Sequence, residues 1–354
     1  MKRICFVNTT KFWGGGEKWH FQNAKALSAI GYDISFILNE VGELKKRISK
    51  TGINHFEVDI TPFTYFNFIK NKKIANYLTS RNIDVVIVND SRDLKTIALI
   101  CKKLNIRVIY RRGIARPVKW TNANRFIYSA LVTDIIFNSE ATKKAFFKDI
   151  SEDSITTKKH IVYNSVDVKK YKNGQNDSNK IVIGNASRLT KQKGLNYIIE
   201  LAELLKNEDA DVIIKIAGKG ELEQELRGEI EEKQLGNLIK LVGFYDDVHE
   251  FMNGLDIYLC SSEYEGFGYS IAEAMLHELS LVGFDISSNP ELIHNNKTGI
   301  LITPFNVLEL KNAIVKLTKN KELRESYGKA GYKHIAENFN KEKSYKNLID
   351  VINQ

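Results

Sequence analysis

The chain has 354 residues, 43% hydrophobic and 27% charged, which is the composition of ordinary globular domains and excludes a disordered or fibrous chain. That length exceeds what one core usually holds, so two domains are expected, and no apolar run approaches the ~18–20 residues that span a bilayer. The net charge of +9 is uneven: residues 1–170 carry 30 Lys+Arg against 15 Asp+Glu, a balance of +15, and residues 171–354 carry 22 against 28, a balance of −6. A basic front half suits anionic lipid, nucleic acid or a phosphorylated substrate; a Lys-rich proteome is the bland alternative, but it would raise Lys in both halves. Cys5, Cys101 and Cys260 are scattered and odd in number, which fits a reducing cytosol, and the apolar stretch in "MKRICFVNTTKF" is too short for a signal peptide. No Cys or His cluster has metal-ligand spacing.

In chain order, short β-branched runs alternate with helical patterns. Strands are expected at 3–8, 33–38, 84–90, 107–112, 134–139 and 160–164, then at 180–187, 211–218, 238–244, 256–262, 279–285 and 299–303. Near-continuous apolar strands separated by helices predict parallel sheets covered on both faces. The polar stretch "SVDVKKYKNGQNDSN" (165–179) reads as a linker between two α/β units. The expected domains are 1–170 and 171–335, with a terminal helical segment, 336–354, packing back on the first.

Ligands of open parallel sheets bind beyond the carboxyl ends of the strands. After the first strand come Gly14, Gly15 and Gly16, which allow tight turns and close backbone approach ahead of a helix; a plain tight turn is the alternative. The dinucleotide fingerprint is broken, because Trp19 stands at the third glycine position. After the first strand of the second half, "NASRLTKQKGLN" places Arg188 and Lys193 near a helix start, where cations suit a phosphate, although a solvated loop cation is the usual reading of any one Lys.

The stretch "SEYEGFGYSIAEAM" (262–275) follows another strand. Glu265 lies in its loop, Phe267, Gly268 and Tyr269 lead into the next helix, and Glu273 sits inside that helix among apolar neighbours. Carboxylates accept two sugar hydroxyls at a time, so cations with two carboxylates describe a sugar nucleotide; an i,i+4 pairing of Glu273 with His277 is the alternative.

These motifs resemble retaining glycosyltransferases of family 4. The resemblance is carried by "GGGE" (14–17), "FNSEATKK" (137–144), "IVYNSVD" (161–167), "SRLTKQKG" (187–194), "IAGKGELEQEL" (216–226), the long run 241–275 with Glu265 and Glu273 eight positions apart, and "NPELIHNNKTGILI" (289–302). It implies an α/β GT-B fold, two tandem Rossmann-like domains whose parallel sheets face across a cleft. It implies that Arg188 and Lys193 hold the donor diphosphate, that Glu265 contacts the donor sugar, and that Glu273 binds the ribose. Phe267, Gly268 and Tyr269 would offer backbone N–H groups, Gly15 and Gly16 would close on the phosphates, Gly243 and Phe244 would flank the base, and Asn289 to Glu291 would support the pocket. Glu265, Arg188 and Lys193 are the implied catalytic set.

One segment departs from the family pattern. Where many members carry a first-domain His, "VIYRRGIARP" (108–117) presents Arg111, Arg112 and Arg116, which suit an acceptor phosphate or a structural ion pair. The implied activity is retaining transfer from a nucleotide-diphosphate sugar, UDP-sugars being the commonest donors, to a glycan or lipid-linked acceptor in cell-surface polysaccharide synthesis. No metal, no cofactor and no nucleic acid is expected; the one D-x-D, Asp209 to Asp211, precedes a strand. The aromatic and basic stretch 61–78 suits an anionic membrane surface, so a cytoplasmic chain, peripheral on the inner face of the membrane, is expected. An epimerase or phosphorylase on the same scaffold, or a non-catalytic nucleotide- or polyanion-binding module, are the alternatives.

Overall fold

The computed structural model describes residues 1–169, 171, 180–206 and 211–354. The chain forms two compact units, one from Met1–Asn164 with Ser344–Gln354 and one from Ser165–Lys343.

The first unit holds β1 (Arg3–Asn8), β2 (Asp33–Leu38), β3 (Asn54–Glu57), β4 (Val85–Val88), β5 (Arg107–Arg112), β6 (Asp134–Phe137) and β7 (Lys158–Ile161). They pair in parallel in the order β3-β2-β1-β4-β5-β6-β7. Because strand side chains alternate, β1 sends Cys5 and Val7 to one core and Ile4 and Phe6 to the other. The inner strands are buried on both faces, which is why they read as unbroken apolar runs. β3 has no counterpart among the expected strands: Asn-His-Phe-Glu at a sheet edge needs only one apolar side chain, so it leaves no pattern.

The second unit holds β8 (Ile181–Ala186), β9 (Val212–Ala217), β10 (Ile239–Gly243), β11 (Ile257–Cys260), β12 (Ser280–Phe284) and β13 (Gly299–Ile302), all parallel, in the order β10-β9-β8-β11-β12-β13. In each sheet the order reverses once, between β1 and β4 in the first and between β8 and β11 in the second. Such a reversal opens a crevice at the carboxyl ends of the two strands.

The expected boundary at 170/171 falls inside the second unit. Val166 bridges Asn340, its N–H donates to the Phe339 carbonyl at 3.0 Å, and Asp167 pairs with Lys341 at 3.0 Å. The polar stretch 165–169 is therefore held by 339–341, and the rest of the expected linker, 170 and 172–179, lies outside the described residues. The expected terminal segment 336–354 is likewise divided, with only Ser344–Gln354 in the first unit. There Leu348, Val351 and Ile352 join the core around Ile4 and Phe6, and Arg107 donates to the carbonyls of Val351 and Ile352 at 2.8 Å each.

Candidate active site

The carboxyl end of β8 leads through Ser187–Leu189 to a single turn, Lys191–Lys193, and then to the helix Leu195–Lys206. Gly194 joins turn to helix with φ +58, and a Cβ there would lie 2.2 Å from the Ser261 carbonyl oxygen, so glycine is required by both backbone shape and space. β11, the neighbour of β8 across the reversal, is followed by Ser261 and Ser262, and the loop continues to Gly268, which caps the helix Tyr269–Leu276 with φ +89.

The two loops are bonded together. Ser261 Oγ donates to the Lys193 carbonyl at 2.8 Å, the Glu263 N–H donates to the Gln192 carbonyl at 3.0 Å, and Gln192 Nε2 donates to the Tyr264 carbonyl at 3.0 Å. This clamp brings Lys193 Nζ to 2.5 Å from Glu265 Oε1, with the two side chains only 13% and 12% exposed. Ser262 Oγ also donates to Oε1, at 2.8 Å; Oε2 carries neither bond. The Glu265 backbone is fixed as well, since Ser287 Oγ and Ser288 Oγ donate to its carbonyl at 2.6 and 3.1 Å. Ser287 holds a left-handed φ of +55, a conformation a non-glycine residue keeps only when its surroundings enforce it. A charge pair this sheltered is stable because each partner is present, so removing either leaves an uncompensated charge.

Glu273 is 9% exposed on the helix Tyr269–Leu276, whose residues from Ile271 to Leu276 are all buried. The i,i+4 alternative, His277, is 1% exposed and its Nε2 lies 3.0 Å from His249 Nδ1. Burial, and then the neighbouring His249, push the His277 imidazole down to about 4, so at neutral pH it offers Glu273 no counter-charge. The Tyr171 ring stacks over His249 and His277, with centroids 4.0 and 4.5 Å away.

Arg188 is exposed beside this clamp. Gly243 ends β10 with φ +80, and the following Phe244 is 56% exposed with Lys219 Nζ 4.4 Å from its ring centroid. The loop of Lys219 is bound to that of Arg188, because the Leu189 N–H donates to the Lys219 carbonyl at 3.1 Å. The Phe267 side chain is 3% exposed and packs on Phe339, so only its backbone can face a ligand. Asn289 is buried, and its Nδ2 donates to the Phe284 carbonyl at 3.0 Å, holding the ends of β11 and β12. Sequence reasoning had not picked out Ser262, Ser287, Ser288 or Lys219. The signal available was their place just past the ends of β11, β12 and β9, which gains force only once strand order is known.

The remaining candidates lie in the first unit. Gly15 and Gly16 open the helix Gly15–Ala29, and a Cβ on Gly16 would lie 2.5 Å from Asn89 Nδ2. Arg111 is 3% exposed, donates to Asn89 Oδ1 at 2.8 Å and to Asn164 Oδ1 at 2.9 Å, and lies 5.0 Å from the Trp19 ring centroid. The acceptor-phosphate role offered for Arg111 therefore meets a guanidinium that is enclosed and bonded to two amides; it braces the loop ends of β4 and β7. Arg112 is half-buried and Arg116 exposed, with Arg112 Nη2 donating to the Arg116 carbonyl at 2.9 Å.

Among the described residues no group of three or more His, Cys, Asp or Glu is placed to hold a metal ion, and no helix is long and apolar enough to cross a membrane. Asp209 of the D-x-D lies outside the described residues, and Asp211 immediately precedes β9. The three cysteines are free and buried.

Poly(ribitol-phosphate) alpha-N-acetylglucosaminyltransferase of Staphylococcus aureus (strain COL) is 29% identical over 173 residues, which cover 49% of this chain and 35% of that protein. An uncharacterized glycosyltransferase of Haemophilus influenzae is 25% identical over 334 residues, covering 91% of this chain and 92% of that one. The structure of Anabaena Alr3699/HepE in complex with UDP matches with a TM-score of 0.87 at 20% identity, over 99% of both chains. At that identity the likeness shows the fold, which is GT-B with two parallel-sheet Rossmann-like units. The family model of glycosyl transferases group 1 matches residues 167–334, the segment that carries Arg188, Lys193, Glu265 and Glu273.

Proposed function

We propose that the protein is a retaining, metal-independent glycosyltransferase of family 4 type. It moves a sugar from a nucleotide-diphosphate donor, a UDP-sugar, to a glycan or lipid-linked acceptor of a cell-surface polysaccharide. The observation that carries this reading is the sheltered Lys193–Glu265 pair at the strand-order reversal of the second unit. Such a place favours a phosphate, and it puts a cation and a hydroxyl acceptor side by side. The relatives point the same way: the S. aureus protein is named for transfer of N-acetylglucosamine to poly(ribitol phosphate), and HepE was crystallised with UDP and glucose.

In this reading Lys193 and Arg188 neutralise the diphosphate, and Glu265 keeps Lys193 in position while its Oε2 accepts a donor-sugar hydroxyl. Glu273 accepts from the ribose, Gly243 and Phe244 flank the base, and the backbone N–H groups of Phe267, Gly268 and Tyr269 face sugar and phosphate. The bond from the anomeric carbon to the phosphate oxygen breaks, the acceptor oxygen bonds to that carbon on the same face, and the acceptor proton passes to the departing phosphate. No protein base is then needed.

The first unit supplies contact with anionic lipid on the cytoplasmic face. Phe63, Phe66, Phe68 and Ile69 are 72, 75, 78 and 69% exposed in consecutive turns, with Lys70, Lys72 and Lys73 following them. So many exposed aromatics in one place mark an interaction surface, and neighbouring lysines favour negatively charged headgroups.

The test is calorimetric titration of the chain with UDP and a panel of UDP-sugars, followed by NMR of the product. Binding of UDP that Lys193→Ala weakens, with the donor's anomeric configuration kept in the product, is the expected result. An inverted product ends the retaining assignment, and a changed sugar nucleotide formed without acceptor favours the epimerase reading. Activity lost in chelator and restored by Mn²⁺ ends the metal-free one.

A further inference from the structure

We propose that a small cavity in the first unit, at the carboxyl ends of β4 and β5, binds a phosphate group carried on an apolar chain. It deepens the reading above by giving the acceptor a chemical class, and it rests on that reading only in calling the ligand an acceptor.

The cavity has a volume of about 200 Å³. That is below the ~300–1,000 Å³ of sites that enclose a drug-sized ligand, so it suits a head group and excludes a whole sugar nucleotide. Its polar lining is Arg112, Lys95, Ser91, Asn124 and Tyr128, and its apolar wall includes Leu94, Val118 and Ile127. No carboxylate lines it. The two acids that adjoin its lining in sequence are engaged elsewhere: Asp90 is bonded on both oxygens by Arg92, at 3.0 Å each, and Asp93 accepts from the Thr9 N–H and hydroxyl.

Arg112 is the informative residue. It ends β5, and its Nη2 is occupied by the Arg116 carbonyl at 2.9 Å. Its Nε is buried without a hydrogen-bond partner. A buried donor left unmade is costly, and a turn of the Arg112 side chain toward a phosphate oxygen in the cavity would satisfy it. A guanidinium also presents its N–H groups in a fork that matches two phosphate oxygens, and the Lys95 ammonium adds a point charge beside it.

The apolar half of the proposal rests on the opposite wall and on its neighbour. The helix Ser91–Leu104 supplies Ser91, Leu94 and Lys95 to the cavity, and the same helix packs against the turn Thr64–Phe66. That turn belongs to the exposed Phe63–Ile69 surface. A free phosphate would gain nothing from Leu94, Val118 and Ile127; an alkyl phosphate would cover them.

The test uses the full chain labelled with ¹⁵N, following the Arg112 Nε–Hε resonance, with the Arg112→Gln variant for its assignment. Dodecyl phosphate below its micelle concentration, inorganic phosphate and dodecyl maltoside are titrated separately. The expected result is saturable movement of the Arg112 signal by dodecyl phosphate, at least tenfold weaker binding of inorganic phosphate, and no movement with dodecyl maltoside. By calorimetry, Arg112→Gln and the exposed-site variant Lys95→Gln should each weaken dodecyl phosphate at least tenfold.

Equal affinity for inorganic and dodecyl phosphate overturns the apolar part and points to a soluble phosphate. Equal response to dodecyl maltoside overturns the phosphate part. Unchanged dodecyl phosphate affinity in both variants overturns the site. Titration of UDP into the same samples separates the two readings: a variant that keeps UDP affinity is folded, and a wild-type chain that binds dodecyl phosphate but not UDP loses the donor reading alone.

Discussion

Lys193 Nζ and Glu265 Oε1 are 2.5 Å apart, although 72 positions of sequence separate the two residues. The contact exists because β8 and β11 are neighbours and their loops are clamped by Ser261 and Gln192. Under the proposed chemistry, Lys193→Ala lowers kcat by roughly two orders of magnitude, the effect of losing one group that stabilises developing charge. Single-turnover kinetics with saturating UDP-sugar checks this, and an unchanged kcat removes Lys193 from the chemical step. Glu265→Gln should lower kcat too, since Lys193 then loses its counter-charge and its fixed position.

Gly194→Ala should destabilise the second unit by roughly 1–3 kcal/mol, the usual cost of forcing extra atoms into a packed site. The backbone there has φ +58 and the Ser261 carbonyl oxygen would sit 2.2 Å from the new Cβ. Urea unfolding measures the loss. The same variant should weaken UDP, because the clamp that positions Lys193 is pushed apart.

Asp93 gives the first unit a pH-dependent stability. It is fully buried, and burial pushes its carboxyl up to about 7 against two hydrogen bonds from Thr9, with the Asp90 charge adding to the rise. In the unfolded chain an aspartate ionises near pH ~3.9. Between those values the folded chain keeps a proton the unfolded chain has lost. The contribution of Asp93 is therefore most favourable below about pH 4 and declines as pH rises through about 7. Asp93→Asn retains an acceptor for the Thr9 N–H and offers a donor to its hydroxyl, and should flatten that decline in urea melts at pH 5 and pH 8. A slope that persists in the variant belongs to another group.

Replacing Phe63, Phe66 and Phe68 together by Ser should reduce flotation with phosphatidylglycerol-containing vesicles at least tenfold. Each buried aromatic contributes about 1.5–3 kcal/mol, and these three are 72, 75 and 78% exposed, so the substitution costs the fold little. Wild-type chain that fails to float at low salt removes lipid contact from the reading.

Much of the fold is legible because strands buried on both faces need apolar side chains at every position. The expected runs in the second half coincide with β8 to β13, the inner strands for that reason and the edge strands β10 and β13 because they too carry apolar runs. β3 escapes notice because Phe56 is the one apolar residue of its four. At the site, Lys193 and Glu265 are each recognisable as residues placed after a strand. That they touch depends on strand order, which local pattern does not encode. Arg111 shows the same limit from the other side. A strand-end arginine reads as a reaching cation, and only Asn89 and Asn164, far apart in sequence, reveal that it is enclosed. Ser287 and Ser288 act through the Glu265 backbone, and a hydroxyl that bonds a carbonyl leaves no spacing to read.

Residues 344–354 complete a core whose other members lie before residue 164, so the two units differ in the order in which synthesis can finish them. The second unit is one continuous segment and is whole once Lys343 has left the ribosome. The first waits for Leu348, Val351 and Ile352, and until they arrive the carbonyls that Arg107 holds are missing and Ile4, Phe6 and their neighbours lack part of their cover. A chain that ends at residue 343 and has been released from the ribosome should therefore resist protease in its later-made unit and be cut in its earlier one.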